Sequence, residues 1–396
     1  MIRQAALYLA TDDDTHAARL PVVGRPVAFR AILAAVRAGV RRVAVPARLR
    51  SPDLDAALAT SPSARAAVVW CDGHGGLTPE PTLLLPAAAL APAPALSRLL
   101  TAPTGSVLTE SRATGTPALT VDGAGLARLR AALMDGTPLG GVLTRGLGDL
   151  PAVGGGRWFV RVSDAGAAAD AEGRLWRELG SPIDTRLDVA VHRRLSKWVT
   201  RAAVARGVTA NWITVASGVV GLGAAACVAR ADAAAVAGGL LLYLVAVVLD
   251  HSDGEVARLT LTESAVGEWL DIALDTIVHA SLVLALGQAA ASVTGGGLAA
   301  SVAAAAGVVA SALVGKLRPP APLAARDRGL LDALSSRDGF YAMLVLFLVL
   351  RLAAPALLPT LMLAVAAGTH AYWVARLALL ARRRRQAAAS PARRAL

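Results

Sequence analysis

Cysteine, aromatic residues and charge are all scarce in this chain of 396 residues. Only Cys71 and Cys227 are present, too far apart to build a disulfide framework or, by themselves, a zinc site, which excludes a small secreted disulfide-rich domain. We expect no secretory signal, because acidic residues begin at Asp12, too early for an apolar region with a cleavage site. Aromatic residues make up 4% and charged residues 17% of the chain, too little charge for a disordered or fibrous protein.

Alanine, leucine and valine supply most of the apolar content. Hydrophobic residues make up 55% of the chain, and the mean hydropathy of +0.54 is too high for an ordinary soluble enzyme. From Asn211 onward we identify six apolar segments with lengths near the roughly 20 residues of a membrane helix. They lie at about 211–229, 233–250, 271–290, 297–315, 340–357 and 359–380. The alternative is that these are buried helices of a soluble protein.

The net charge of +12 is explained by the same arrangement. A pI near 11.0 normally suggests a nucleic acid partner. Here, however, basic clusters precede the first segment, separate the fourth from the fifth and follow the sixth. By the positive-inside rule this pattern predicts an even number of spans with both termini in the cytoplasm. We therefore expect a multi-pass protein of the cytoplasmic or inner membrane, in contact with the lipid bilayer and without a nucleic acid partner.

The N-terminal part has the pattern of a soluble α/β domain. We predict a helix over 25–39 followed by a strand over 41–45, a second strand and helix over 83–100, and a last strand over 158–162 before a helix that ends near 179. Alternating strands and helices favour a parallel sheet. The segment 185–208 then interleaves apolar and basic residues, which predicts an amphipathic helix on the inner leaflet. A solvated linker helix is the alternative.

Four carboxylates lie within or next to the second and third apolar segments. Asp250 and Asp253 are three residues apart, and Gly267, Asp271 and Asp275 are each four apart, so each set shares one helix face. Two antiparallel helices joined by a short turn would bring the four carboxylates together near the inner surface. Their mutual repulsion predicts one or two bound divalent cations. Oxygen-only ligands favour Mg²⁺ or Mn²⁺ over zinc.

The full pattern is D-x2-D-G-x2-A-R-x8-G-x3-D-x3-D. In this motif the chain resembles the CDP-alcohol phosphatidyltransferase family, and Asn211 lies in a stretch similar to the family's entry to the first span. The matching residues are Asp250, Asp253, Gly254, Ala257, Arg258, Gly267, Asp271 and Asp275.

The resemblance implies transfer of a phosphate-linked group from a CDP-alcohol to a hydroxyl acceptor, with release of CMP. It implies Mg²⁺ or Mn²⁺, expected as two ions, held by Asp250, Asp253 and Asp271. Asp275 is the candidate general base and a candidate ligand of the second ion. The residues expected to bind the CDP group are Asn211, Asp253, Gly254, Ala257, Arg258 and Gly267.

A basic pocket is expected for the acceptor, because acceptors in this family often carry a phosphate. Lys316, Arg318 and Arg337 are the candidates, and Arg337 ranks first. Their alternative role is ordinary positive-inside charge. His279, one turn beyond Asp275, is expected to pack rather than to face the cavity. Donors of the CDP-diacylglycerol and CDP-inositol types both remain open, as do polyol phosphate acceptors. A homodimer is a further expectation from the family.

The N-terminal domain also carries a resemblance. Residues 19–27 and 38–43 look like the opening of a sugar-phosphate nucleotidyltransferase, a domain that is fused to this membrane domain in bifunctional enzymes that make and use CDP-inositol. The phosphate-binding glycine loop is missing at 9–19, where three acidic residues lie, and the metal-binding Gly-Asp is replaced by Leu85-Pro86-Ala87-Ala88. We therefore interpret this domain as an inactive relative.

The expected organisation has four parts, in the ranges 1–178 for the nucleotidyltransferase-like domain, 179–207 for the juxtamembrane helix, 208–385 for a six-helix transmembrane domain and 386–396 for a basic tail. Two alternatives remain. In one, the N-terminal domain still makes the CDP-alcohol from CTP. In the other, which belongs to a different class, the six spans form a carrier or scaffold whose acidic residues bind a cation.

Overall fold

A computed structural model describes residues 2–71, 77–112, 114–147, 150–154, 158–180, 188–317, 331 and 337–389. The chain divides into two compact units. The first comprises Met1–Leu179 with Leu259–Thr262, and the second comprises Gly180–Arg258 with Glu263–Leu396.

The first unit is built on strands and short helices. Its strands are β1 (Gln4–Tyr8), β2 (Pro21–Val22), β3 (Arg25–Pro26), β4 (Arg42–Pro46), β5 (Val68–Cys71), β6 (Thr82–Pro86), β7 (Ala89–Leu90), β8 (Val107–Leu108), β9 (Leu119–Val121), β10 (Ala152–Val153) and β11 (Val160–Arg161). Its helices are α1 (Asp14–Ala17), α2 (Val27–Arg37), α3 (Pro52–Ala59), α4 (Pro62–Ala67), α5 (Ala93–Thr101), α6 (Thr109–Arg112), α7 (Gly123–Asp135), α8 (Gly140–Arg145) and α9 (Ala165–Arg177).

Seven strands form the main sheet in the order β10-β8-β9-β6-β1-β4-β5. The pairs β5–β4, β4–β1, β1–β6 and β8–β10 are parallel, whereas β9 runs antiparallel to both of its neighbours. Every residue of β1 and β6 is buried, as is typical of strands covered on both faces of a parallel sheet. The expectation of a parallel sheet is thus confirmed for most of this unit.

Several predicted elements of this unit are present with different bounds. The helix predicted over 25–39 begins later, at Val27, because Arg25 and Pro26 form β3 instead. The strand predicted over 158–162 is reduced to β11, which pairs antiparallel with β7 in a separate two-stranded sheet. Sequence periodicity does not show that such short segments pair outside the main sheet.

All of the regular secondary structure described in the second unit is helical. A short π-helix at Asp188–His192 precedes α10 (Arg193–Ala205). The helices that follow are α11 (Ala210–Ala229), α12 (Ala233–Thr260), α13 (Ala265–Thr294), α14 (Leu298–Gly315), α15 (Arg337–Ala353) and α16 (Leu358–Ala389), with a 3₁₀ turn at Pro355–Leu357 before the last.

Five of these helices are long and apolar enough to cross a membrane. They are α11, α12, α13, α14 and the continuous segment Pro355–Arg385, which contains most of α16. The predicted span over 340–357 corresponds to α15, whose apolar part, Gly339–Ala353, is shorter than the other five. The predicted count of six spans is therefore not confirmed by the described residues, among which α15 ends at Ala353, two residues before Pro355.

The juxtamembrane segment buries several of its polar residues and exposes part of its apolar surface. Ser196 and Thr200 of α10 are fully buried, whereas the side chain of Trp198 is 72% exposed and that of Leu195 is 47% exposed. An exposed tryptophan beside basic residues suits the interface between lipid and water. The helix α10 lies within the predicted segment, and an amphipathic helix on the inner leaflet remains a prediction.

Small residues allow α11 and α13 to pack closely. A Cβ atom added at Gly218 would lie 3.1 Å from a methyl carbon of Leu274, and one added at Gly221 would lie 2.6 Å from a methyl carbon of Val278. Membrane helices use glycine in this way because lipid supplies no hydrophobic force to press them together. This contact sets the distance between α11 and the helix that carries Asp271 and Asp275.

We therefore expect Gly221→Ala to lower the melting temperature of the detergent-solubilised protein. The new methyl group overlaps Val278, and overpacking of this kind costs about 1–3 kcal/mol. Gly223→Ala on the same helix is the matched control, because a Cβ there meets nothing within 4 Å and helix propensity favours alanine. Equal melting temperatures for the two variants would contradict the proposed close contact.

Candidate functional site

Three of the four predicted carboxylates meet in the second unit. Carboxylate oxygens of Asp250, Asp271 and Asp275 all lie within 4.8 Å of one another. Asp250 lies on α12, while Asp271 and Asp275 lie one turn apart on the same face of α13. The start of α13 is set by Ser264, whose hydroxyl accepts a hydrogen bond from the amide of Gly267 at 3.0 Å. The helix register thus points both aspartates toward α12.

The donor set of this cluster suits a divalent cation. All three residues are half-buried, and each offers only carboxylate oxygens, the ligands that Mg²⁺ and Mn²⁺ prefer. Carboxylates this close repel one another unless a cation or a proton lies among them. The residues therefore fit the metal that the sequence predicts, and the half-buried position leaves room for a ligand to approach.

Asp253 is not one of the three residues of this cluster. Its side chain is buried and accepts a hydrogen bond from the hydroxyl of Thr214 on α11 at 2.5 Å. Thr214 also donates toward the carbonyl oxygen of Ala210 at 3.1 Å. The structure thus brings three of the four predicted carboxylates into one group and attaches the fourth to the neighbouring helix. The sequence contains no signal that would have selected Thr214 as the partner.

The two predicted glycines make space for predicted polar residues. A Cβ atom at Gly267 would lie 3.1 Å from Oδ1 of Asn211, and a Cβ atom at Gly254 would lie 3.1 Å from a guanidinium nitrogen of Arg258. Both distances are shorter than most contacts of real Cβ atoms, so a side chain at either position would push its neighbour away. Ala257 lies on the same helix as Arg258 and is partly buried.

A pocket adjoins the carboxylates. Its lining consists of Thr214, Ser217, Gly218, Tyr243, Ala246, Val247, Asp250, Asp271, Leu274, Asp275, Val278, His279, Phe340 and Tyr341. All three carboxylates of the cluster are thus part of the wall of this pocket.

His279 was expected to pack rather than to face the cavity, and it does both. Its ring lines the pocket, while Nδ1 lies 2.7 Å from the carbonyl oxygen of Asp275 and Nε2 lies 2.8 Å from the hydroxyl of Tyr243. The ring also contacts Phe340 edge to face, with 5.0 Å between centroids. Hydrogen bonds at both nitrogens fix its orientation, which makes it a wall of the pocket.

The three candidate acceptor residues are not brought together by the described part of the chain. Lys316, at the end of α14, forms an ion pair with Glu268 and lies over the ring of Trp269, 5.3 Å from its centroid. Arg337 begins α15, but its side chain lies outside the described residues, as does the whole of Arg318. Their role in binding a phosphate stays a prediction.

Glu255 is a buried residue of the motif that the sequence reading did not select. It is fully buried and accepts hydrogen bonds from Arg193 at 2.9 Å, from Ser196 at 2.9 Å and from Thr200 at 2.7 Å. Its partners all lie on α10. An ionisable residue inside an apolar segment is costly and therefore informative, so Glu255 could have been selected by the reasoning that selected the aspartates.

Comparisons with known proteins agree with the motif. The family model described as CDP-alcohol phosphatidyltransferase matches residues 207–366. No curated protein sequence matches the chain. Among solved structures, the chain is similar to phosphatidylinositol phosphate synthase PgsA1 of Mycobacterium tuberculosis with CDP-DAG bound, at 17% identity and a TM-score of 0.38. That match covers 47% of this chain and 94% of the synthase chain. It is too distant to support an argument about this protein.

The cluster of three carboxylates makes a direct prediction about metal binding. We expect the purified protein to bind Mn²⁺, measured by electron paramagnetic resonance, and Asp271→Asn to weaken this binding at least tenfold, because one anionic ligand is removed. Asp232→Asn is the matched control. Asp232 lies in the second unit, away from the cluster, and caps Ala235 at the start of α12. Equal Mn²⁺ affinity in both variants would contradict the assignment.

Proposed function

We propose that this protein transfers a phosphate-linked alcohol from a CDP-alcohol to a hydroxyl acceptor and releases CMP. Residues 207–366 match the CDP-alcohol phosphatidyltransferase family model, which makes the protein a transferase of substituted phosphate groups. One observation carries the proposal. The carboxylates of Asp250, Asp271 and Asp275 converge beside a pocket on the two helices that bear the family's motif.

The three carboxylates would hold the metal. A bound divalent cation neutralises the pyrophosphate and makes CMP a better leaving group. Asp250 and Asp271 would hold the cation, with Asp253 as a further proposed ligand whose orientation is fixed by its hydrogen bond from Thr214. Asp275 would be a ligand of a second ion, in addition to its proposed role as general base. The donor set would be satisfied by Mg²⁺ or by Mn²⁺.

Asp275 is the proposed general base. It lies one helical turn beyond Asp271 and lines the pocket, so an acceptor hydroxyl that enters there can reach its carboxylate. The base takes the hydroxyl proton as the oxygen attacks the phosphorus, and the bond from phosphorus to the CMP oxygen breaks. The hydrogen bonds of His279 to Tyr243 and to the carbonyl oxygen of Asp275 keep this wall of the pocket in place.

We propose that the donor's CDP group lies along the start of α13 and the adjoining part of α12. Asn211 approaches α13 only because position 267 lacks a side chain. Arg258 folds back over Gly254, where its guanidinium can contact the pyrophosphate. Ala257 leaves space on the same face of α12. These contacts would bind the CDP group, which all CDP-alcohols share. CDP-diacylglycerol and CDP-inositol therefore remain the two donor types.

The proposed acceptor is a polyol phosphate, held by basic residues at the same end of the helices. Lys316 would have to exchange Glu268 for the phosphate, because the two form an ion pair. Arg318 and Arg337 complete the proposed pocket.

The family and the apolar helices make this a membrane protein. We propose that its site lies at the cytoplasmic face of the cell membrane and that both termini lie in the cytoplasm.

For the first unit we propose a role other than nucleotide transfer. In the segment where a nucleotidyltransferase needs a phosphate-binding loop, the carboxylate of Asp14 is buried. It accepts hydrogen bonds from the amide of Ala10 at 2.7 Å, from the hydroxyl of Thr11 at 2.9 Å and from Arg161 at 3.3 Å. An internal anion thus occupies donors that would otherwise bind phosphate. Docking, regulation or stabilisation of the chain are the roles that remain.

The proposed reaction predicts CMP release that depends on a divalent metal. Protein in lipid vesicles, supplied with CDP-diacylglycerol or CDP-inositol, a panel of polyol phosphates and Mg²⁺, should release CMP. Asp275→Asn should reduce the rate by at least about a hundredfold, the contribution expected of a general base. Asp232→Asn should leave it unchanged. Failure of the wild-type protein to release CMP with every donor and acceptor pair would refute the proposed function.

The proposed inactivity of the first unit is tested separately. Full-length protein carrying Asp271→Asn, which removes CMP transfer from the measurement, should release no pyrophosphate from CTP in the presence of polyol phosphates. The physical reason is that Asp14 repels the triphosphate from this loop. Pyrophosphate release above a protein-free control would show that the unit makes a CDP-alcohol and would support a bifunctional enzyme.

A further inference from the structure

A second group of metal-ligating side chains lies in the helical unit, separate from the three aspartates. Asp188 and His192 belong to the π-helix that precedes α10, and His251 lies on α12. One ligand atom from each of the three lies within 4.8 Å of the other two. We propose that Asp188, His192 and His251 form a binding site for a transition-metal ion of the zinc type, distinct from the Mg²⁺ or Mn²⁺ site at the acidic cluster.

The distances within this group are close to those of a tetrahedral site. Nδ1 of His192 lies 2.8 Å, and Nε2 of His251 lies 3.0 Å, from Oδ1 of Asp188. Zinc binds nitrogen and oxygen ligands at about 2.0–2.1 Å, which places neighbouring ligand atoms about 3.3 Å apart. The two observed edges therefore need to lengthen by only a few tenths of an ångström to accept an ion.

Burial distinguishes this group from a surface cluster. The exposed fraction is 0% for His192, 1% for Asp188 and 5% for His251. Nε2 of His192, the nitrogen that faces away from Asp188, is buried without a hydrogen-bond partner in the described structure. Two rings lie near the ring of His192. The distance between ring centroids is 5.1 Å to Tyr341 and 5.7 Å to His251. These contacts hold the imidazoles in place before an ion binds.

The donor sets of the two sites select different ions. Two imidazoles and one carboxylate form a ligand set typical of zinc, which binds such sites more tightly than Mn²⁺ does. The acidic cluster offers only oxygen atoms and so favours Mg²⁺ or Mn²⁺. A chain with both sites can hold both kinds of ion at once.

The position of the group indicates what the ion does. His251 follows Asp250 directly in the sequence, and Asp188 and His192 lie in the juxtamembrane segment. An ion bound by all three therefore ties this segment to α12 beside a ligand of the acidic cluster. Because all three ligands are buried, we assign the ion a structural role rather than a catalytic one.

Metal analysis of the intact protein tests the site. Full-length protein is purified in detergent without chelators, incubated with an equimolar amount of Zn²⁺, passed over a desalting column and analysed by mass spectrometry for zinc. We expect one zinc ion per chain and an X-ray absorption spectrum with imidazole nitrogen ligands at about 2.0 Å. The proposal would be overturned if wild-type protein kept no zinc, or if its zinc had no imidazole ligands. Asp188, His192 and His251 would then be only a hydrogen-bonded group.

Three variants locate the ion. His192→Ala should lower the amount of zinc retained per chain at least tenfold. His370→Ala, which changes a histidine of α16 that lies near the carbonyl oxygen of Ala303, should keep it. Asp271→Asn should also keep zinc although it lacks CMP release, so failure of the catalytic proposal and failure of this one give different results. Loss of zinc in Asp271→Asn but not in His192→Ala would place the ion at the acidic cluster and overturn the proposal.

Discussion

Electrostatic repulsion among three carboxylates on apolar helices is the constraint on which the rest of the helical unit depends. Asp250, Asp271 and Asp275 lie within 4.8 Å of one another, an arrangement that costs free energy unless a cation is bound. The surrounding helices must therefore hold the carboxylates at this spacing while the site is empty. The close contact of α11 with α13 and the hydrogen bond from Thr214 to Asp253 both serve this purpose.

The motif helix α12 divides its functions between two faces. The face that includes Asp250 and Gly254 adjoins the pocket and the proposed donor site. The other face carries His251, Ser252 and Glu255, which are buried against the π-helix and α10. Ser252 donates to the carbonyl oxygen of Val248 and contacts that of Ser196 as well.

Ser252 and Glu255 thus make buried polar contacts that alanine could not make. A buried charge such as that of Glu255 is tolerated only with full hydrogen bonding, and Arg193, Ser196 and Thr200 supply it. The juxtamembrane segment thus packs against α12 and stabilises its position. An amphipathic helix that only rests on lipid would not need these buried polar contacts.

Local spacing was sufficient to predict the aspartates and the helices that carry them. Residues three and four apart share a face whatever their surroundings, so the convergence of Asp250, Asp271 and Asp275 followed from a helical hairpin. Long apolar segments likewise predicted five of the membrane helices. In the first unit, the alternation of strands and helices predicted a parallel sheet, and most of the strand pairs are parallel.

Contacts between distant segments could not be predicted in this way. The hydrogen bond of Thr214 to Asp253 joins residues 39 positions apart, and that of Arg193 to Glu255 joins residues 62 positions apart. The antiparallel position of β9 likewise depends on the whole sheet. No periodicity within one segment encodes such partners.

Anomalous X-ray diffraction from crystals grown with Mn²⁺ and CDP tests the central claim most directly. The account predicts an anomalous peak among Asp250, Asp271 and Asp275, within ligand distance of their carboxylate oxygens and of the CDP pyrophosphate. Bound CDP with Mn²⁺ at a different place, or with no Mn²⁺ among these three residues, would contradict it.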